Sequence, residues 1–552
     1  MDNYIDIQVK ADTIYLNGNI YTVDKDFSIV EAFALKDDRF IFVGSNDDVM
    51  KYAGEKTKIV DLHHKTVIPG IIESHLHVDN IGIGKMELDA RMKTKEEILE
   101  MVAGEYKFRK SGEWIKGDGW NNEFWDVSDF PNRYDLDKVS PDIPVYIERV
   151  CEHASWVNSK ALELAGINDN TKNPLGGEIL KDNNGKATGI VTDQAQEFFL
   201  KVMPPKTEEQ MEQSAMLAQK EFFKNGITTI HDAGSSEEVI SRWERLYEKG
   251  DLKIRKYVMF RVEGRPTYQE LIDISKKYFK QGLKIGKYNN HLTVRSFKIS
   301  SDGSMGARSA WMFDDYSDRP GHKGNGKLND EEMYNIVKLA ASNGFQVVIH
   351  SIGDASNKQS LDVYERVFKE IKNHDHRSRI EHAQVVIPED VQRFIDLKVI
   401  PSFQPIAVCS DKLIAEARWG KQRIKYAYAW RKFKEAGAKI MPISTDAPVD
   451  PINPFINMYV AVTRKDLHGE PKEGWYREEA FTRREALEGA TIMGAYAGFE
   501  EDLKGSIEKG KLSDFIIIDR DYMNCNEDEI KDIKVLETVL GGETVYKDEA
   551  KN

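Results

Sequence analysis

The stretch VIPGIIESHLH, residues 67–77, decides the fold. It begins as an apolar, β-branched run and ends in a polar segment that contains two histidines. Seven later runs are also short and apolar, and each has a polar or ionisable C-terminal end. In order they are GITTIHDAG (226–234), RKYVMFRV (255–262), TVRSFKIS (293–300), FQVVIHSIG (345–353), SRIEHAQ (378–384), VIPSFQP (399–405) and KIMPISTDAPV (439–449). Eight strands that alternate with helix-forming segments predict an α/β fold, a closed parallel (β/α)8 TIM-like barrel.

The gap between the first two runs predicts an inserted unit. It spans roughly 150 residues, too many for one crossover between neighbouring parallel strands. The gap holds a ninth apolar run, IPVYIERV (143–150), and the aromatic stretch WIKGDGWNNEFW (114–125). We therefore expect an inserted α/β subdomain over about residues 80–205.

Both ends of the chain are predicted to form β-sheet. DTIYLNGNIYTV (12–23) and GSIEKGKLSDFIIIDRD (505–521) combine alternation, β-branched residues and turn signals. We predict a small composite β-sandwich built from residues 1–66 and 491–552, with the barrel and its insertion over 67–490. Two independent β caps are the alternative.

The composition of the chain disfavours several classes of protein function. The 552 residues carry 78 Lys and Arg against 92 Asp and Glu, a formal charge of −14, which disfavours binding to nucleic-acid phosphates. No signal-peptide pattern and no apolar run of about 18 residues occurs, and the three cysteines are far apart without a C-x-x-C pair. We expect a cytoplasmic enzyme for a small-molecule substrate, with no nucleic-acid or membrane partner, and a homodimer as the commonest assembly.

The first metal-ligand pattern is the pair His75 and His77. The two-residue period of a strand sends both side chains to one face, where two imidazoles can chelate a divalent ion such as zinc. A lone H-x-H pair is equally compatible with chance, so the pattern gains weight only from further residues.

Three such residues stand at the ends of other predicted strands: His350, His382 and Asp446. Singly, each histidine is compatible with a satisfied polar core residue, and the aspartate with a loop cap. If all of them were buried without a common ligand, the free-energy cost of polar burial would fall on one region of the barrel. A divalent ion at the barrel mouth would bind all of them and offset that cost.

Lys298 shares the inward face of its predicted strand with Val294 and Ser296. Burial and nearby positive charge lower a lysine pKa, and a free amine can react with carbon dioxide to give a carbamate that bridges two metal ions. The alternative is an inward lysine paired with Asp302 or Asp446.

These positions resemble the amidohydrolase superfamily of metal-dependent hydrolases, in a branch that contains N-substituted formamide deformylase. The resemblance extends over nearly the whole chain, through FKISSDGSMGARSAW, VVIHSIGDAS, RIEHAQ and STDAPVDPINPF. It implies one or two divalent ions, a carboxylated lysine if there are two, and the ligands His75, His77, Lys298, His350, His382 and Asp446. It also implies hydrolysis of a non-peptide carbon–nitrogen bond by a metal-activated hydroxide.

The resemblance further implies roles around the metal. Asp446 would carry a proton from water to the leaving nitrogen. His153 and Arg308 are our own candidates for a donor to the oxyanion, and the alternative for His153 is a solvated surface histidine. His153 follows Glu152 where the branch usually has a glycine. Trp120 and Trp311 suit the walls of a substrate pocket, although tryptophans are more often core residues and Arg308 has a structural alternative.

Three competing functions remain open. An ester or lactone hydrolase needs the same hydroxide. Deaminases of this superfamily carry x-x-Glu after the strand-five histidine, whereas His350 is followed by Ser351, Ile352 and Gly353. A non-catalytic binding protein would be expected to have lost ligands, and all six are present.

Overall fold

A ring of parallel strands forms the centre of the computed structural model, which describes residues 9–91, 93–122, 125, 129–149, 154–174, 177–264, 266–372 and 375–549. Seven regular strands follow one another round the ring in chain order, each parallel to the next. They are β1 (Ile71–Leu76), β2 (Ile227–Ser235), β3 (Arg255–Phe260), β4 (Leu292–Ser300), β5 (Gln346–Ser351), β6 (Arg379–His382) and β7 (Ile400–Ser402). The predicted TIM-like α/β barrel is confirmed.

The eighth predicted strand, 439–449, is irregular but closes the ring. One parallel bridge joins it to the segment after β7. On its other side, the amide of Asp446 donates to the carbonyl of His75 at 3.0 Å, and the amide of His77 donates to the carbonyl of Ala447 at 2.8 Å. Asp446 has a φ of 59°, a left-handed conformation that cannot continue a strand. The closure therefore places the Asp446 backbone beside the end of β1.

Gly70 divides the stretch that was predicted as one barrel strand. Thr66–Pro69 pairs with sandwich strands, and only Ile71–Leu76 belongs to the barrel. A β-carbon on Gly70 would lie 2.3 Å from the Thr228 hydroxyl oxygen, so the chain passes from sheet to barrel at a point where only glycine fits.

Helices follow the barrel strands. Three of them begin with a capping box, in which the N-cap side chain and a glutamate three residues later satisfy each other's backbone amides, at Thr267, Asn329 and Thr482. The helices of the barrel and of the chain ends are Asn46–Val49, Glu237–Lys249, Tyr268–Phe279, Lys287–Asn290, Asp330–Ser342, Asp354–Glu370, Pro388–Asp396, Val408–Asp411, Ala415–Arg423, Trp430–Glu435, Pro454–Thr463, Arg483–Gly489 and Ile492–Ala497. Short 3-10 turns are Met50–Tyr52, Pro405–Ala407, Ile424–Tyr426, Arg477–Glu479 and Glu527–Asp532.

Two further sheets are built from the chain ends. One contains Thr13–Leu16, Ala32–Lys36, Arg39–Gly44 and Lys58–Asp61. The other contains Asn19–Tyr21, Ile29–Val30, Thr66–Pro69, Phe515–Ile518, Val535–Leu540 and Glu543–Lys547. Phe33 and Phe40 from the first sheet pack with Phe515 and Val539 from the second in one buried cluster. Strands from both termini therefore share one sandwich, as the sequence predicts.

The barrel and the sandwich belong to one compact unit, residues 1–78 and 219–552, and residues 79–218 form a second. The second unit has a six-stranded sheet of Leu88–Asp89, Ile115–Trp120, Val145–Arg149, Ala154–Val157, Gly177–Lys181 and Ala187–Asp193. Its helices are Lys95–Tyr106, Arg133–Val139, Ser159–Leu164 and Glu197–Leu200, with a 3-10 turn at Gln194–Gln196. Val78–Gly84 and Glu208–Lys224 cross its boundaries. Among the residues that the structure describes, no helix is long and apolar enough to cross a membrane.

Candidate metal centre

Strand β1 presents two imidazoles at its C-terminal end. His75 is the fifth residue of the strand and is fully buried, while His77 follows the strand and keeps 30% of its side-chain surface exposed. Their ring centroids are 5.6 Å apart. The pair thus lies where the barrel interior opens to solvent.

Asp446 completes a three-residue cluster with these histidines. Its Oδ1 atom lies 3.3 Å from Nε2 of His75 and 3.2 Å from Nε2 of His77. Over the described ranges, these three side chains form the one group of histidines, cysteines and acids whose ligand atoms all lie within 4.8 Å of one another. Asp446 Oδ1 is buried and has no hydrogen-bond partner.

The cluster has the spacing of a metal site. Zinc–nitrogen and zinc–oxygen bonds of about 2.0–2.2 Å place neighbouring ligand atoms of a tetrahedral site roughly 3.3–3.6 Å apart, which is close to the separations seen here. Nδ1 of His75 is already occupied, because Glu381 Oε2 lies 2.6 Å from it, so Nε2 is the atom free to bind. The donor atoms fit a divalent cation.

Glu381 and Arg379 form a buried ion pair behind His75. Arg379 Nε lies 2.7 Å from Glu381 Oε1, and neither side chain has exposed surface. Burial alone would raise the Glu381 pKa, but Arg379 and His75 hold it well below its ordinary value. This pair was not predicted from the sequence, although residues 379 and 381 share one face of a strand by the same parity that selected His75 and His77.

Two more imidazoles extend the row of rings from His75, with His382 next to it and His350 next to His382. The ring of His382 is 5.1 Å from that of His75 and 4.4 Å from that of His350. Burial lowers the pKa of His382 to about 3 and holds that of His350 well below its ordinary value. Both rings are therefore neutral at neutral pH, which is the form that binds metals.

Backbone geometry explains how His382 reaches this position directly after Glu381. A regular strand would send consecutive side chains to opposite faces. His382 instead has a φ of 74°, which breaks the alternation at the last residue of β6.

Lys298 lies inside the barrel on β4 and keeps only 4% of its surface exposed. Burial lowers the pKa of its amine to about 8, although Glu381 and Asp446 favour the charged form. Asp302, one of its two suggested partners, accepts hydrogen bonds from the backbone amides of Trp311, Ile352 and Gly353.

Trp120, a predicted wall of the substrate pocket, lies in the inserted unit. It is fully buried in the core of the inserted unit, and its indole nitrogen donates to the carbonyl of Ile147 at 2.9 Å. This burial corresponds to the core position that was given as the alternative for Trp120. His153, the other predicted residue of the same unit, lies outside the described residues.

Arg308 and Trp311 lie in the loop after β4. Arg308 forms a bidentate pair with Asp318, at 3.1 and 2.7 Å, which corresponds to the structural alternative given for it. The Trp311 ring packs over Gly326, where a β-carbon would come within 3.0 Å of the indole. Neither residue belongs to the three-residue ligand group.

A second buried charge pair that sequence reasoning missed lies on β2 and β3. Lys256 Nζ is 2.8 Å from Asp232 Oδ2 and lies 3.8 Å from the ring centroid of Trp243. Despite burial, Lys256 and, more weakly, His77 lower the Asp232 pKa. The position of Asp232 near the end of GITTIHDAG was the available signal, since parallel strands of a barrel present their carboxyl ends to one site.

Comparison with known proteins identifies the family. A model of the amidohydrolase family matches residues 58–546, which is most of the chain. This chain belongs to the amidohydrolase family. A relative from Arabidopsis thaliana, Protein LONG AFTER FAR-RED 3, is 30% identical over 98% of this amidohydrolase and 92% of its own length.

Two further relatives connect the family to function. N-substituted formamide deformylase from Arthrobacter pascens is 26% identical over 97% of this amidohydrolase and 98% of its own length. The crystal structure of an uncharacterized metal-dependent hydrolase from Pyrococcus furiosus superposes with a TM-score of 0.75 at 28% identity, over 93% of this chain and all of that one. The resemblance read from the motifs is thus confirmed.

Proposed function

We propose that this amidohydrolase cleaves a non-peptide carbon–nitrogen bond in an amide, an N-substituted formamide or a cyclic amide. The observation that carries the proposal is the convergence of His75, His77 and Asp446 on one point at metal-ligand spacing. The similarity to a protein named N-substituted formamide deformylase supports the choice of bond.

The residues that would hold the metal are those at the barrel mouth. We assign one or two divalent ions, with zinc as the preferred metal because neutral imidazole and carboxylate suit it. The proposed ligands are His75, His77, Lys298, His350, His382 and Asp446. A bound ion of this kind polarises a carbonyl group and lowers the pKa of water.

Asp446 is the proposed proton carrier. Its side chain keeps 16% of its surface exposed, and its Oδ1 atom has no hydrogen-bond partner. Burial would raise its pKa, but the neighbouring His75 and His77 hold the pKa well below the ordinary value. The carboxylate is therefore ionised at neutral pH, the form in which a proton carrier between water and the leaving nitrogen begins the reaction.

Lys298 is the proposed carboxylated residue. Burial lowers the pKa of Lys298 to about 8, so its amine is uncharged at neutral pH more often than that of an ordinary lysine. The uncharged amine is the form that reacts with carbon dioxide, and the carbamate product would supply a negative charge beside His350 and His382.

A substrate panel tests the proposal. Purified protein is analysed for metal and offered N-substituted formamides, N-acyl amines, cyclic amides, esters and lactones of matched substituents. We expect bound zinc and a higher kcat/KM for the carbon–nitrogen substrates. Turnover confined to esters and lactones would favour that alternative, and ammonia release from amino heterocycles would favour a deaminase.

Matched variants show whether the activity belongs to this site. Asp446→Asn should remove most of the turnover of every substrate that the wild type hydrolyses. Asp521→Asn is the control, because Asp521 accepts hydrogen bonds from Asn19 and Tyr21 within the sandwich. Equal activity of the two variants would contradict the assignment.

The cytoplasmic location and the homodimer stay predictions. Light scattering of the purified protein checks the second, and a monomer would contradict it.

A further inference from the structure

The contacts of His75 reach beyond the candidate ligands. Its Nδ1 atom lies 2.6 Å from Glu381 Oε2, and its Nε2 atom lies 3.3 Å from Asp446 Oδ1. The ring is therefore held between two carboxylates, one buried completely and one at the barrel mouth.

These contacts select one tautomer of His75. A carboxylate accepts but cannot donate a hydrogen bond, so at 2.6 Å from Glu381 the Nδ1 atom must carry the proton. The opposite tautomer would turn a nitrogen lone pair towards a fully buried negative charge. With the proton held on Nδ1, Nε2 is the nitrogen that faces His77 and Asp446 and that would give its lone pair to a cation bound there.

Arg379 prevents Glu381 from moving away. Its Nη2 atom donates to the carbonyl of Ser74 at 2.7 Å, and Nη1 lies 3.0 Å from Nδ1 of His231. Since a guanidinium group has no acceptor, that His231 nitrogen must be the unprotonated one. Arg379 is thereby fixed to the backbone beside His75 and keeps its ion pair of 2.7 Å with Glu381.

We propose that Glu381, held by Arg379, is a positioning residue that fixes the orientation and tautomer of His75 and thereby sets the metal affinity of the site. The inference rests on the proposed metal-dependent function. Carboxylates that orient ligand histidines in this way typically contribute a factor of about 10–100 to metal affinity.

The test measures zinc binding and needs no substrate. Metal-free wild type and variants compete for zinc with a chelator of known affinity, and the visible spectrum of the cobalt(II) form reports the ligand set. We expect Glu381→Gln to weaken zinc binding about 10–100-fold, because an amide can accept from or donate to Nδ1 and so permits both tautomers. Glu381→Asp keeps the charge but shortens the reach, and should fall between wild type and Glu381→Gln.

The control separates positioning from general destabilisation. Glu381→Gln leaves Arg379 buried without its counter-ion, so the control removes an equally buried ion pair elsewhere. Asp514→Asn does this, because Asp514 pairs with Arg255 at 2.7 Å with both side chains buried. We expect Asp514→Asn to keep zinc affinity within about twofold of wild type, as for distant independent sites.

Each outcome decides the inference. A Glu381→Gln affinity equal to that of wild type overturns it, as does an equal loss in Asp514→Asn, which would make the effect purely structural. If Glu381→Gln does not fold, Glu381→Asp decides, since it retains the charge that Arg379 needs. A wild-type protein that binds neither zinc nor cobalt would refute the proposed function and the inference together, whereas normal wild-type binding with insensitive variants refutes the inference alone.

Discussion

The ion pair between Asp514 and Arg255 is predicted to fasten the sandwich to the barrel. Arg255 begins β3, while Asp514 immediately precedes the sandwich strand Phe515–Ile518. Two contacts join their side chains, Nε to Oδ2 at 2.7 Å and Nη2 to Oδ1 at 2.9 Å. The perturbation is Asp514→Asn, which keeps the volume of the side chain and removes its charge.

The cost of this change in unfolding free energy follows from the burial of both charges. Removing one partner of a buried ion pair costs about 3–5 kcal/mol, because the other charge stays buried without compensation. Arg255 retains one backbone acceptor, the carbonyl of Asn290 at 3.3 Å, and an asparagine oxygen can still accept from the amide of Gly541. We therefore expect Asp514→Asn to lower the free energy of unfolding by about 3 kcal/mol, the lower end of that range.

The assay is urea unfolding followed by tryptophan fluorescence, with the free energy taken from midpoint and slope. The double variant Arg255→Met/Asp514→Asn should recover at least half of the loss, because it no longer buries an unpaired charge. A loss below about 1 kcal/mol for Asp514→Asn, the range of exposed ion pairs, would refute the reasoning. A double variant as unstable as the single one would also refute it.

Acid pH provides an internal check. Burial raises the pKa of Asp514, but Arg255 outweighs it and the folded-state pKa lies below the ordinary value. A lowered folded-state pKa gives stability that is complete above the unfolded pKa of about 3.9 and is lost as pH falls through the folded value. The difference in unfolding free energy between wild type and Asp514→Asn should therefore stay constant from pH 8 to about 5 and shrink below about 4.

Four further outcomes are expected. Asp446→Asn should lower kcat about 10²–10⁴-fold while retaining most of the zinc; unchanged turnover would reject its role as proton carrier. Lys298→Ala should lose one of two ions and recover part of its activity with formate or acetate; full metal content in metal analysis would disprove a bridging carbamate. Trp120→Ala should destabilise the inserted unit by about 3–5 kcal/mol without changing KM in steady-state kinetics, whereas a raised KM would restore the predicted substrate contact. Chelation of zinc should lower the Tm in calorimetry, since an ion at 100 times its Kd stabilises by about 2.7 kcal/mol; an unchanged Tm would argue against a site in the folded state.

The barrel was predictable because its signal is repeated and local. Each strand carries its own apolar run, and the rule that parallel strands present their carboxyl ends together was enough to bring His75, His77 and Asp446 into one group. The irregular closure by residues 439–449 was not predictable from this pattern, because the left-handed φ of Asp446 leaves no mark on hydrophobic alternation.

Long-range pairing limited the prediction of the site. Glu381 and His75 are 306 positions apart, and nothing in either segment specifies that one carboxylate meets one particular ring nitrogen. Trp120 illustrates a different limit. The local sequence around an aromatic residue in a polar stretch is the same whether its side chain lines a pocket or packs in a core. Gly70 is a third case, because the need for glycine arises from Thr228 on another strand.

The sandwich has a consequence for how the protein is made. Its central sheet joins Thr66–Pro69 to Phe515–Ile518, and Asn19 bonds to Asp521, 502 positions later. During synthesis the first strands therefore leave the ribosome with an unpaired sheet edge and wait while the entire barrel is translated. Exposed edges of this kind invite pairing with other chains, so a chaperone that shields the N-terminal strands until translation ends should raise the yield of native protein.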